Sequence, residues 1–230
     1  MQETNITTRK STIIGGIIFL TILLFTSTFA TKWFSKSGLD YETTFFTTRL
    51  IIWGILFLLF VYTLKIEKQP FLLWPEQKYS PLFTLKEISK TLLFVLLAII
   101  CIGLTVKMLH LNAESAMINK LIKLFKNNFL LLLFASITAG ITEELIFRGY
   151  LLSRLDFLFK NTKAAIIVSS IIFGLLHYSY GTLLQIIGPF AIGLIFAFQY
   201  QKNRNIQIVI ICHFLWDFLV LFLKTQQSIK

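Results

Sequence analysis

The chain has 230 residues, of which 56% are hydrophobic and 14% charged, with a formal net charge of +11. Soluble domains carry about 25% charged residues, whereas a mean hydropathy of +0.75 with recurrent long apolar runs describes a polytopic membrane protein. The basic excess is not a nucleic-acid footprint. Lys and Arg stand between apolar runs, where they flank helices and meet anionic headgroups, and no basic stripe is interleaved with aromatics.

Residues 1–10 read as a polar tail, and a first span is predicted over about 12–34, with Gly15 and Gly16 suited to a close helix contact. Arg9 and Lys10 precede a run long enough to cross a membrane, and no Ala-x-Ala-like end follows, so the run reads as a retained helix. Lys32, Lys36, Asp40 and Glu42 mark a loop before a second span over about 50–64. The segment 65–90 is the most polar and holds Pro70, Pro75 and Pro81, so it reads as a loop. Within it, Phe71-Leu72-Leu73-Trp74 resembles an interfacial anchor. A third span is predicted over about 91–109.

Between 112 and 128, Met117, Leu121, Leu124 and Phe125 fall on one helical face opposite Lys120, Lys123 and Lys126. That pattern predicts a short amphipathic helix on the membrane surface. Further spans are predicted over about 129–155, 164–180, 182–200 with a kink at Gly188-Pro189, and 206–223. The expected architecture is an all-α transmembrane bundle of about seven spans forming one membrane domain. In it, 1–128 supply N-terminal helices and loops, and 129–224 carry the chemistry. Lys and Arg are modestly more numerous on the N-terminal side, which predicts a cytoplasmic N-terminus in a cell membrane of prokaryotic type. Cys101 and Cys212 lie inside apolar runs, without the spacing of a disulfide framework or a metal knuckle.

Ionisable residues within the last four spans are few: Glu143, Glu144, Arg148, His177, His213 and Asp217. Such residues in lipid face the bundle interior, find partners and mark functional sites. Glu144 and Arg148 are four apart and share a helix face, which suits a buried ion pair. Glu143 is turned about 100° away and is left unpaired. His213 and Asp217 repeat the four-residue spacing, so the carboxylate is placed to orient the imidazole, and Phe173 stands likewise beside His177. Counted from the polar turns at about 1.5 Å per residue, Glu143, His177 and Asp217 lie at one depth, with His213 one turn shallower.

Such a cluster suits water activation: a buried carboxylate takes the proton while histidines hold the water, ligate a divalent metal, or donate to an oxyanion. Glu143, His177 and His213 are the candidate ligands if a metal such as zinc takes part, and a metal-free site uses the same groups. Ser136 and Ser170 lie nearby, but no nucleophile stands in a recognisable setting. A proton or ion transporter is the competing class, although no internal repeat or matched pair of broken helices is visible. A catalytically silent immunity or scaffold protein is a third.

Glu143-Glu144-x-x-x-Arg148, Phe173-x-x-x-His177 and His213-x-x-x-Asp217, in that order on successive late helices, resemble the three motifs of the CPBP family. That family includes the CAAX prenyl endopeptidases and the bacteriocin-processing or immunity (Abi) membrane proteins. The likeness covers about 135–219; residues 1–128 match only as generic membrane helices. The resemblance implies intramembrane proteolysis with Glu143 as base and His177 beside the attacking water. It implies that His213 and the last motif residue stabilise the oxyanion, and that Glu144 and Arg148 support them. CAAX-type members carry Asn where this chain has Asp217, which leaves three roles for it: a protonated donor, an orienter of His213, or a metal ligand. The expected partners are membrane lipids and a peptide or protein substrate, not nucleic acid.

Overall fold

The structure, a computed structural model, describes residues 2–112 and 114–227, so Met1 and residue 113 of the segments read above lie outside it. The described chain forms eight helices and no strand. These are α1 (Gln2–Lys36), α2 (Tyr41–Glu67), α3 (Pro81–Met108), α4 (Ala116–Lys126), α5 (Phe129–Phe159), α6 (Thr162–Leu175), α7 (Leu184–Asn203) and α8 (Ile206–Gln227). All but α4 are long and apolar enough to cross a membrane, α6 when taken with its following turn to Tyr180. The protein is an integral, multi-pass membrane protein.

Several boundaries differ from the sequence reading for identifiable reasons. The expected polar tail is the first turns of α1, which begins at Gln2. Helix α2 starts at Tyr41 rather than near 50, because Asp40 caps it by accepting from the Thr43 N–H. Helix α3 starts ten residues early because Ser80 is its cap and Pro81 occupies the first turn, where a missing N–H costs nothing. A proline that reads as a loop marker is here a helix start. Pro189 falls in the second turn of α7, which runs on unbroken to Asn203.

The bundle turns large apolar side chains outward and keeps several charged ones inside, among an otherwise apolar core. Phe57, Leu82 and Leu130 are 65%, 78% and 74% exposed, whereas Glu67, Glu87, Glu144, Arg148, Arg154 and His213 are all buried. That arrangement is what a lipid solvent demands, since carboxylates and guanidinium groups must find one another inside. Helix α7 packs against α6 and α3, and α8 packs against α3, α4 and α5. At Gly140 the backbones of α5 and α8 meet: a Cβ there would stand 2.9 Å from the Phe214 nitrogen and 3.0 Å from the Ile210 oxygen.

Two polar-segment expectations are corrected. Phe71-Leu72-Leu73-Trp74 is not a lipid anchor but folds back under the helix ends. Trp74 is buried against Tyr200 and lies beneath the Arg204 guanidinium at 3.6 Å, and Phe71 packs on Tyr150. Buried Arg154 holds this segment by donating to the Pro70 and Phe71 carbonyls. The amphipathic helix α4 likewise does more than float on the surface. Leu121 and Phe125 are buried in a cluster with Phe45, Leu131 and Leu132, and Ser115 at its cap donates to the Tyr180 carbonyl at 2.6 Å.

Candidate active site

Helix α5 carries the glutamates, and its geometry around them is not regular. Ala139–Glu143 and Leu145–Leu152 are π-helical, a widened turn that often accompanies functional sites. The widened stretch begins where Gly140 brings α8 close, and Trp53 of α2 donates to Thr138 Oγ1 just before it. The two adjacent glutamates diverge there. Glu144 is fully buried, while the Glu143 side chain is 18% exposed and faces a cavity.

Glu144 Oε1 accepts from Arg148 Nη1 at 2.8 Å and from His213 Nδ1 at 2.7 Å, so one carboxylate oxygen joins α5 to α8. The expected Glu144–Arg148 pair is present, but Glu144 also does what spacing assigned to Asp217. It fixes the His213 ring through Nδ1. Asp217 Oδ2 lies 3.6 Å from His213 Nε2, at the cavity side, with Glu143 Oε2 at 4.0 Å from the same nitrogen. Arg148 is held further by the Gly193 carbonyl at 3.3 Å and by the Phe173 ring, 4.5 Å from its guanidinium carbon.

His177 falls within the membrane-crossing unit Thr162–Tyr180, as expected, and stands just past the regular end of α6 in the turn leading to Tyr178–Tyr180. The four-residue relation to Phe173 survives because the last helical turn carries through: His177 Nδ1 donates to the Phe173 carbonyl at 2.8 Å. That bond leaves Nε2 with a lone pair. The Tyr180 ring stacks on His177 with centroids 5.7 Å apart.

Glu143, His177, His213 and Asp217 all line one cavity of about 270 Å³. Its remaining wall is mostly apolar, with Leu121 and Phe125 of α4 and Val220 of α8 among the lining groups. The cavity runs from the level of the glutamates toward the end of the bundle where α2 begins and α8 finishes, with α4 across it. Two of its residues, Arg49 and Tyr180, were not singled out in the sequence. Arg49 stands near the start of α2, where a flanking cation is unremarkable, and Tyr180 reads as an interfacial aromatic.

The metal expectation is not matched by the placement of these groups. Among the described residues, no three His, Cys, Asp or Glu side chains are gathered as a metal ion requires. Nδ1 is committed on both histidines. Ser136 and Ser170 are also committed, each donating to a carbonyl of its own helix. Cys212 is buried and Cys101 exposed, and both are free thiols.

Residues 125–219 match the family model described as Rce1-like: type II CAAX prenyl endopeptidase Rce1-like. The matched segment runs from the end of α4 into α8 and contains all six ionisable residues above. No curated protein and no solved structure gives a significant match.

Proposed function

We propose that this protein is a membrane hydrolase that cleaves a peptide bond of a membrane-associated peptide or prenylated substrate with a water activated by Glu143 and His177, a reading supported by the match of residues 125–219 to the family model for Rce1-like type II CAAX prenyl endopeptidases. The observation that carries this reading is complementary hydrogen bonding at one cavity wall. Glu143 offers a partly exposed acceptor, His177 offers the lone pair of Nε2, and His213 turns Nε2 to the same space.

The steps follow from those atoms. A water held between the Glu143 carboxylate and His177 Nε2 loses a proton to Glu143, and the resulting hydroxide attacks the scissile carbonyl carbon. The oxyanion accepts from His213 Nε2–H, which is available when the ring is an imidazolium with Nδ1–H on Glu144. Glu143 then passes its proton to the leaving amine, so the products are a carboxylic acid and an amine. Arg148 balances Glu144, and Glu144 orients His213. Asp217 Oδ2 lies 3.6 Å from His213 Nε2, and its side chain is more exposed than that of Glu143, so water can take over its contact when the oxyanion accepts the Nε2–H.

The reading is tested in proteoliposomes with a prenylated CAAX-type peptide and with membrane-proximal peptides, with products identified by mass spectrometry. The expected result is cleavage that survives chelator, with no stoichiometric zinc by elemental analysis of the pure protein. Ion flux without any cleavage would favour the transport reading instead.

A further inference from the structure

Resting on that reading, we propose that Arg49 of α2 is a specificity-determining residue that docks an anionic group of the bound substrate, its free C-terminal carboxylate. Arg49 lies outside the family-matched segment yet lines the same cavity as Glu143, His177 and Asp217. Its surroundings differ from those of the other two arginines near the bundle centre. Arg148 pairs with Glu144 and Arg154 with Glu67 at 2.8 Å each, whereas none of the ion pairs among the described residues includes Arg49.

The guanidinium carbon of Arg49 lies 4.7 Å above the Phe45 ring, and its Nε is buried without a hydrogen-bond partner. Arg49 donates a hydrogen bond to Tyr180, which is also within electrostatic reach of Glu143 and Asp217. A guanidinium whose Nε is buried with no hydrogen-bond partner and whose charge meets no ion pair is costly. A guanidinium presents parallel N–H donors that match a carboxylate bidentately. The cavity between Arg49 and Glu143 is walled by Leu121, Phe125, Ala135 and Ala139, which suits apolar side chains leading to a charged end. A substrate anchored in this way presents a bond near its C-terminus to Glu143.

The same oxyanion chemistry is offered by a lipid phosphate, so the test separates the two. Calorimetry in phosphatidylcholine nanodiscs compares N-dodecanoyl-leucine with its C-terminal amide, ligands with no inter-residue peptide bond. The readout is binding, and loss of the hydrolytic reading does not disturb it. Wild type is expected to bind the acid about tenfold more tightly than the amide, the size of one charge-assisted bond. Arg49→Gln is expected to abolish the preference while holding the amide within about twofold, and Arg49→Lys to keep part of it. Equal affinity of wild type for acid and amide overturns the proposal. So does an Arg49→Gln effect equal on both ligands, or a preference that disappears when a small fraction of phosphatidylglycerol is added, which would assign the cation to lipid phosphate.

Discussion

Helix α5 contributes an arginine to each of two buried glutamate–arginine clusters, Arg148 and, less than two turns on, Arg154, and they are built differently. In one, Glu67 takes Tyr150 Oη–H at 2.6 Å on Oε1 and Arg154 on Oε2, while Arg154 spends its other donors on backbone carbonyls. Every strong donor and acceptor there is used inside the protein, and nothing faces the cavity. In the other, Glu144 carries both Arg148 and His213 on Oε1 and leaves Oε2 buried without a partner. The first cluster is closed and clamps the 68–74 segment to α5. The second is open on its histidine side and ends at Glu143 in the cavity. A buried ion pair is therefore no mark of function by itself; a chain of partners that leads to a solvent-accessible acid is.

Matched isosteric substitutions break that comparison. Glu67→Gln leaves Arg154 as an uncompensated buried charge and should cost about 3–5 kcal/mol of stability, read by thermal unfolding in detergent. Turnover per folded molecule should not change. Glu144→Gln leaves the buried Arg148 uncompensated in the same way and should cost a similar amount, but unlike Glu67→Gln it should also slow turnover per folded molecule. Removing a charge-assisted bond made in the transition state should lower kcat about ten- to hundredfold with KM kept.

Gly140→Ala sharpens the role of the α5–α8 contact. Its Cβ meets backbone at 2.9 Å and 3.0 Å, so α8 must move, costing about 1–3 kcal/mol. Activity should fall further than stability, because His213 moves with α8. Ser115→Ala removes the cap of α4 and its bond to the Tyr180 carbonyl. It should cost only about 1 kcal/mol, detectable as faster hydrogen exchange confined to α4.

The span count and the order of the chemical groups were legible because lipid imposes length and because ionisable residues within apolar runs are few. The cluster at Glu67, Tyr150 and Arg154 was not legible, since Glu67 falls in a polar, proline-containing stretch and its partner is 87 residues away. The partners of His213 were legible only in part: four-residue spacing finds Asp217, 3.6 Å from Nε2, but not Glu144 on another helix, which takes Nδ1 at 2.7 Å across a contact that Gly140 makes close. Helical spacing assumed 100° per residue for α5, and the π-helical stretch changes how its side chains are aimed. Arg49 escaped notice because its importance lies in which carboxylates are not beside it, which spacing along one helix does not encode.

The central claim is that Glu143, not its buried neighbour Glu144, takes the proton from the attacking water. Single-turnover cleavage in proteoliposomes by wild type, Glu143→Gln and Glu144→Gln tests it most directly. The account predicts that Glu143→Gln folds, still binds substrate, and cleaves at least about 10²-fold more slowly than wild type, with Glu144→Gln the milder variant. Wild-type cleavage by Glu143→Gln would contradict it.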